Sequence, residues 1–168
     1  TITVTSGTSS ENGTVKVVES EKCFSVGDIL FTDGTRIKAE NVKYGVPDEQ
    51  LEKAIGVIGS APYGGGTGLV VGLQRGVEKW APSGTTGYET NFTGISVERS
   101  GEANNYTFTG DLDGSDNWEY ICSIDPSGTQ NASSNYPIFH YAYSYGVTAG
   151  LVGTEYENGW YVPSIVEL

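Results

Sequence analysis

His140 is the single imidazole of this 168-residue chain, and Cys23 and Cys122 are its only thiols. A cysteine nucleophile needs an imidazole within hydrogen-bond reach to take its proton. Cys122 closes the run Trp118-Glu119-Tyr120-Ile121-Cys122, an amphipathic turn that predicts a buried thiol. His140 falls on the polar side of the helix predicted over 137–145, so the spacing argues against a working Cys–His pair. The two cysteines show no metal-ligand spacing. One disulfide in an oxidising compartment and two separate thiols packed as small hydrophobes both remain open. The densest acidic segment is Asp111-Leu112-Asp113-Gly114-Ser115-Asp116. Carboxylates at this density suit Ca²⁺, but an EF-hand places Gly sixth and Glu twelfth. Here Gly is fourth and Cys122 is twelfth. An irregular Ca²⁺ site through Asp111, Asp113 and Asp116 competes with a reading that needs no ion, in which Asp113-Gly114 turns the chain and Asp116 caps a helix. No residue is assigned a catalytic, cofactor or metal role, and the expectation is a non-enzyme without a cofactor.

Two further patterns bear on ligands. Ser60-Ala61-Pro62-Tyr63-Gly64-Gly65-Gly66-Thr67-Gly68 is glycine-rich, but no Lys follows and the next run is strand-like. A phosphate cradle opens a helix, so a hairpin loop is expected instead. Trp80, Trp118 and Trp160 have the surface for stacking on sugars, yet each is expected to pack inside. Tyr63, Tyr88 and Tyr106 lie on polar stretches and are the better candidates for ligand contact.

Composition narrows the class. Net charge is −12, and the nine Lys and Arg form no basic stripe. A phosphate backbone would be repelled, which excludes nucleic acid as a partner. With 24 Gly, 11 Tyr and only 18% charged residues, the chain reads as a turn-rich protein with a polar, acidic exterior suited to solubility outside a cell. No apolar run is long enough to span a membrane. Asn12, Asn91, Asn105 and Asn131 begin Asn-x-Ser/Thr triplets, which arise by chance in so Ser/Thr/Asn-rich a chain. The absence of Met and the start at Thr1 predict a processed or trimmed end.

Local patterns place these residues on elements. Period-two alternation in 2–5 and 14–19 predicts a pair of strands. Asp33-Gly34 between strand-like runs predicts a hairpin, and Pro47-Asp48-Glu49 predicts the start of a short helix. Residues 54–58 and 69–73 read as apolar strands, and 80–115 as loops with short strands or turns. A short helix is expected from Asp116, ended by Asp125-Pro126-Ser127-Gly128. The clearest helix runs from Pro137 to Tyr145, stopped by Gly146, with Ile138, Tyr141, Ala142 and Tyr145 on its apolar face, widened by Phe139 and Tyr143. Ser164 and Glu167 form a capping box that announces another helix, and the sequence ends after about one turn of it. The apolar Ile165, Val166 and Leu168 then call for a covering surface, expected from further chain or a second subunit.

The segment Gly159-Trp160-Tyr161-Val162-Pro163-Ser164-Ile165-Val166-Glu167-Leu168 resembles the Gly-Trp-x-x-Pro-[Ser/Thr]-x-x-Glu-Leu signature of bacterial surface domains similar to DUF1566. Lys79-Trp80-Ala81-Pro82 with Gly84-Thr85-Thr86-Gly87-Tyr88, and Asp113 to Trp118 through Ser134-Asn135-Tyr136-Pro137, extend the likeness over roughly 54–168. Such domains are related to the C-type-lectin fold and to formylglycine-generating-enzyme-like domains. The resemblance implies an α+β, C-type-lectin-like domain over 51–168, its C-terminal part incomplete, behind a small β-rich N-terminal module over 1–50. It implies a bacterial cell-surface or extracellular setting. The Glu-Pro-Asn and Trp-Asn-Asp triplets of sugar-binding lectins are absent. The working cysteines of formylglycine-generating relatives lie in a part with no counterpart here, so that activity is not carried over.

The function expected is therefore non-catalytic binding or adhesion toward glycan or protein ligands. The alternative is a structural subunit of a surface fibre or layer, completed by a neighbouring chain.

Overall fold

The structure, a computed structural model, describes residues 24–60 and 68–168 together with the backbone of Ile2–Thr3 and Thr14–Val15. Cys23, Asn12, Tyr63 and the glycine-rich loop over 61–67 lie outside the described residues. The fold is mixed α+β. It divides into two compact units, Thr1–Leu73 and Gln74–Leu168.

The first unit is built on antiparallel sheet. β1 (Ile2–Thr3) pairs with β2 (Thr14–Val15), as the alternation there predicts. β3 (Ile29–Phe31) and β4 (Arg36–Ile37) form the hairpin announced by Asp33-Gly34. Gly34 takes φ 77°, a turn conformation that a Cβ would penalise. Short helices α1 (Ala39–Val42) and α2 (Asp48–Leu51) follow, the latter entered through Pro47. β5 (Ala54–Ser60) and β6 (Leu69–Gly72) complete a four-stranded sheet in the order β4-β3-β5-β6. Leu30, Phe31, Ile55 and Ile58 are its buried side chains.

Asp28 locks the turn that enters β3. Its carboxylate is 1% exposed, pairs with Arg36, and accepts 3.0 Å hydrogen bonds from the Ser25 and Ala39 N–H groups. Burial is the largest influence on its pKa and pushes it up. The two backbone donors and Arg36 together outweigh that push, so Asp28 sits below the usual carboxylate range.

The second unit combines helices with one hairpin. α3 (Thr86–Glu89) leads to a 3₁₀ turn at Thr93–Ile95 and then to β7 (Val97–Glu102) and β8 (Asn105–Gly110), an antiparallel pair in unbroken register. Asn104, at φ 71°, turns the hairpin, a conformation Asn tolerates better than most residues. α4 (Asn117–Ile124), α5 (Ala132–Asn135), α6 (Pro137–Tyr143) and α7 (Tyr145–Thr148) complete the unit.

Within 80–115, expected as loops with short strands or turns, the short strands are β7 and β8, and they pair over six residues. Several local expectations are corrected. Asp116 makes no side-chain cap; Asp113 caps the 3₁₀ turn at Gly114–Asp116 by accepting from the Ser115 N–H. α6 ends at Tyr143, where the Ser144 hydroxyl donates back to the His140 carbonyl at 2.6 Å and offers the backbone an alternative to helix. Gly146 is not a stop. It lies inside α7, where a Cβ would fall 1.9 Å from the Glu157 carbonyl oxygen. The most buried residue of α6 is Phe139, which was expected only to widen the apolar face of Ile138, Tyr141, Ala142 and Tyr145. The capping box at Ser164 and Glu167 closes one turn rather than a helix.

Phe92, Ile121, Tyr136 and Phe139 form the core of this unit, with Trp118, Tyr120 and Val162 packed around them. The rings meet mostly edge to face, as Phe92 and Tyr136 do at 6.2 Å and 67°. The abundance of both Gly and Tyr has a packing cause. Cβ atoms at Gly76, Gly87 and Gly94 would lie 2.4–2.6 Å from the rings of Tyr141, Tyr136 and Tyr120. Each bare backbone is the seat of one tyrosine ring.

Candidate functional site

The C-terminal segment lies against the start of the 3₁₀ turn before α4. The Glu167 carboxylate holds it there. One oxygen accepts from the Ser164 N–H at 2.8 Å, which is half of the expected capping box, and from the Gly114 N–H at 2.8 Å. The other accepts from the Tyr161 hydroxyl at 2.7 Å. Gly114 has to be glycine because a Cβ would meet the Val162 carbonyl oxygen at 2.4 Å. One carboxylate thus fixes Tyr161 through Ser164 against a residue far away in sequence. Val162 takes part in the walls of two clefts.

The larger cleft, about 310 Å³, lies where this segment meets the base of β7 and the start of α4 and α6. Trp80, Ile95, Phe139 and Val162 give it apolar walls, and Asn117 and Ser164 give it polar groups. Trp80 packs edge-on against Phe139 at 4.7 Å and 82°, and it is 42% exposed. Asn117 is 7% exposed, yet its side-chain oxygen is buried without a hydrogen-bond partner. Leaving such a group unpaired costs about 1–3 kcal/mol, and buried acceptors in folded proteins are rarely left so. Asn117 lines the cleft, and a ligand N–H or O–H that reached this oxygen would supply the missing donor. An apolar site with a few placed polar groups is the usual form of a binding pocket.

The sequence-derived candidates are scattered by comparison. Trp80 is partly exposed and walls this cleft, whereas packing was expected. Trp118 and Trp160 are half-buried packing residues that line the smaller cleft. Tyr88 and Tyr106 are exposed as expected but line neither cleft, and the Arg99 guanidinium sits 4.4 Å from the Tyr106 ring centre. Asp111 accepts from the Asp113 N–H at 3.2 Å and Asp113 from the Ser115 N–H at 2.9 Å. These bonds make the loop a pair of Asx turns. Among the described residues no group of three His, Cys, Asp or Glu side chains is placed to share a metal ion.

Among the described residues Cys122 is in no disulfide, and it is half-buried rather than buried; the expectation of a bridge to Cys23 lies outside the described residues. His140 is also half-buried rather than wet, and its ring meets Tyr143 edge-on at 5.2 Å. Asn117 was legible only as a helix-start residue. The orphaned oxygen that marks it depends on burial in the folded unit, which no local pattern encodes.

Among the described residues no helix is long and apolar enough to cross a membrane. No protein-family model, curated protein or solved structure matches this chain.

Proposed function

We propose that this chain is a non-catalytic, extracellular binding domain of the C-type-lectin-like, DUF1566-like kind, and that its ligand enters the cleft between Trp80 and Asn117. The observation that carries the reading is the buried, partnerless oxygen of Asn117 beside the half-exposed Trp80 ring. That pairing suits a ligand with one apolar face and one hydrogen-bond donor. A sugar ring and a peptide segment both have this form, which keeps the glycan and protein expectations together. The polar, acidic composition and the family likeness of 159–168 support the surface setting.

The test is binding of the full chain to arrays of glycans and of short peptides. Hits that lose at least about tenfold in affinity on Asn117→Ala and on Trp80→Ala support the proposal, since a lost buried hydrogen bond or ring contact is worth that much. Hits unaffected by both changes contradict it.

A second reading, a structural subunit completed by a neighbour, rests on the apolar Ile165 and Val166, 57% and 41% exposed, of which Ile165 borders the same cleft. Sedimentation velocity over a wide concentration range separates the two. A concentration-dependent increase in size that Ile165→Ser abolishes favours the assembly reading.

A further inference from the structure

The smaller cleft of the same unit has a different chemistry. It encloses about 140 Å³ and is walled by the rings of Trp118, Tyr143, Trp160 and Tyr161, with Glu119 the only charged residue among its lining side chains. Two of the rings are pinned by their polar edges. The Trp160 indole N–H donates to the Tyr156 carbonyl at 2.8 Å, and the Tyr161 hydroxyl donates to Glu167 at 2.7 Å. Trp118 and Tyr143 hold one another in a 5.5 Å stacked pair. With those polar edges satisfied, Trp160 and Tyr161 have chiefly their faces left to offer, and ring faces carry negative quadrupole charge.

The surroundings reinforce that sign. Glu119 is exposed, and burial, the bond to Glu167 and the charge of Asp113 hold the Tyr161 phenol above its ordinary range. A cation is favoured, but a small hydrated ion is not, because the walls supply few oxygens to replace its water. At roughly 30 Å³ per water-sized group, the cleft accepts a group of about four or five heavy atoms, the size of a tetramethylammonium ion. Preset rings lose little freedom when such a group enters.

We propose that this cleft is an aromatic cage for an alkylated ammonium group, carried either by a small molecule such as choline or by a methylated lysine side chain. Tyr143, backed by its stack on Trp118, supplies a ring face together with Trp160 and Tyr161, and Glu119 supplies the counter-charge. The inference does not depend on the Asn117 cleft, with which it shares only the Phe139 and Val162 walls.

The experiment is titration of the full chain with tetramethylammonium chloride, followed by tryptophan fluorescence at matched ionic strength. Saturable binding is expected, with neohexanol, the uncharged isostere of choline, binding about tenfold more weakly because it lacks the cation–π attraction. Tyr143→Ala removes an exposed ring and lowers the affinity about tenfold, and Glu119→Gln lowers it about threefold. Both variants are first checked for a native circular dichroism spectrum. Separate titrations with choline and with trimethyl-lysine then identify the source by whichever binds more tightly. Absence of saturation overturns the proposal. So does equal binding of neohexanol, or unchanged affinity in both natively folded variants.

Discussion

The Tyr136 hydroxyl donates a 2.7 Å hydrogen bond to the Asp125 carboxylate, and both residues are buried in the core of the Gln74–Leu168 unit. The other Asp125 oxygen accepts from the Gly128 N–H at 2.9 Å, so the carboxylate that turns the chain after α4 is the same one that anchors the central ring. Burial and this bond together hold the Tyr136 phenol well above its ordinary range, and the proton stays on the ring. Tyr136→Phe keeps the ring and leaves Asp125 short of a donor. It is expected to destabilise the unit by about 1–3 kcal/mol in urea unfolding. A loss under 0.5 kcal/mol, roughly the scale of a neutral surface change, would show that the bond is dispensable.

Gly87 tests the same ring from the other side. A Cβ there would lie 2.4 Å from the Tyr136 ring, which is itself fully buried. Gly87→Ala is expected to cost about 1–3 kcal/mol by overpacking, even though alanine favours helix more than glycine does. Unchanged or raised stability in a thermal melt would mean that the ring moves aside freely.

In the Thr1–Leu73 unit Asp28 contributes to the acid response. Its pKa is lowered on folding, so its contribution is fully present above the unfolded value near 3.9 and is lost as pH falls through the lower folded value. Asp28→Asn is expected to cost about 1.5–3 kcal/mol at neutral pH through the weakened bonds to Arg36, Ser25 and Ala39. The gap between wild type and variant should then narrow as pH drops below about 4. Urea titrations at several pH values check it, and a gap that stays constant down to pH 2 would contradict the assignment.

Glu167→Gln addresses the C-terminal segment. The amide keeps one acceptor oxygen in place of the carboxylate pair that serves Ser164, Gly114 and Tyr161. Weakened bonds to a charged acceptor are worth about 1.5–3 kcal/mol. Hydrogen exchange at the Gly114 and Ser164 amides should quicken together by at least about tenfold, because one group protects both. Quickening at Ser164 alone would mean that the carboxylate only closes its own turn.

These relationships explain which features could be read in advance. The Asp33-Gly34 hairpin, the Pro47 and Pro137 helix starts and the Ser164–Glu167 box depend on residues within a few positions of each other, and each has a local chemical cause. Short strands were expected within 80–115, but the 97–110 pairing could not be placed, because nearly all its side chains are exposed on both faces and leave no period-two apolar pattern. Ser144 ends α6 through its own hydroxyl, a choice the neighbouring Gly146 disguises. Glu167 was legible as a cap for Ser164 but not as a partner of Gly114, whose bond spans 53 positions. The same distance hid the clefts. Trp80, Asn117 and Val162 carry no shared motif, and only the fold brings them to one surface.

The most direct measurement is an NMR titration of the labelled full chain with the tightest-binding glycan or peptide from the arrays. The account predicts that the largest shifts fall on the Asn117 side-chain amide and the Trp80 indole N–H, with smaller ones at Val162 and Ile165. Largest shifts at Tyr88 or at the Tyr106 hairpin, with Asn117 and Trp80 unmoved, would contradict it.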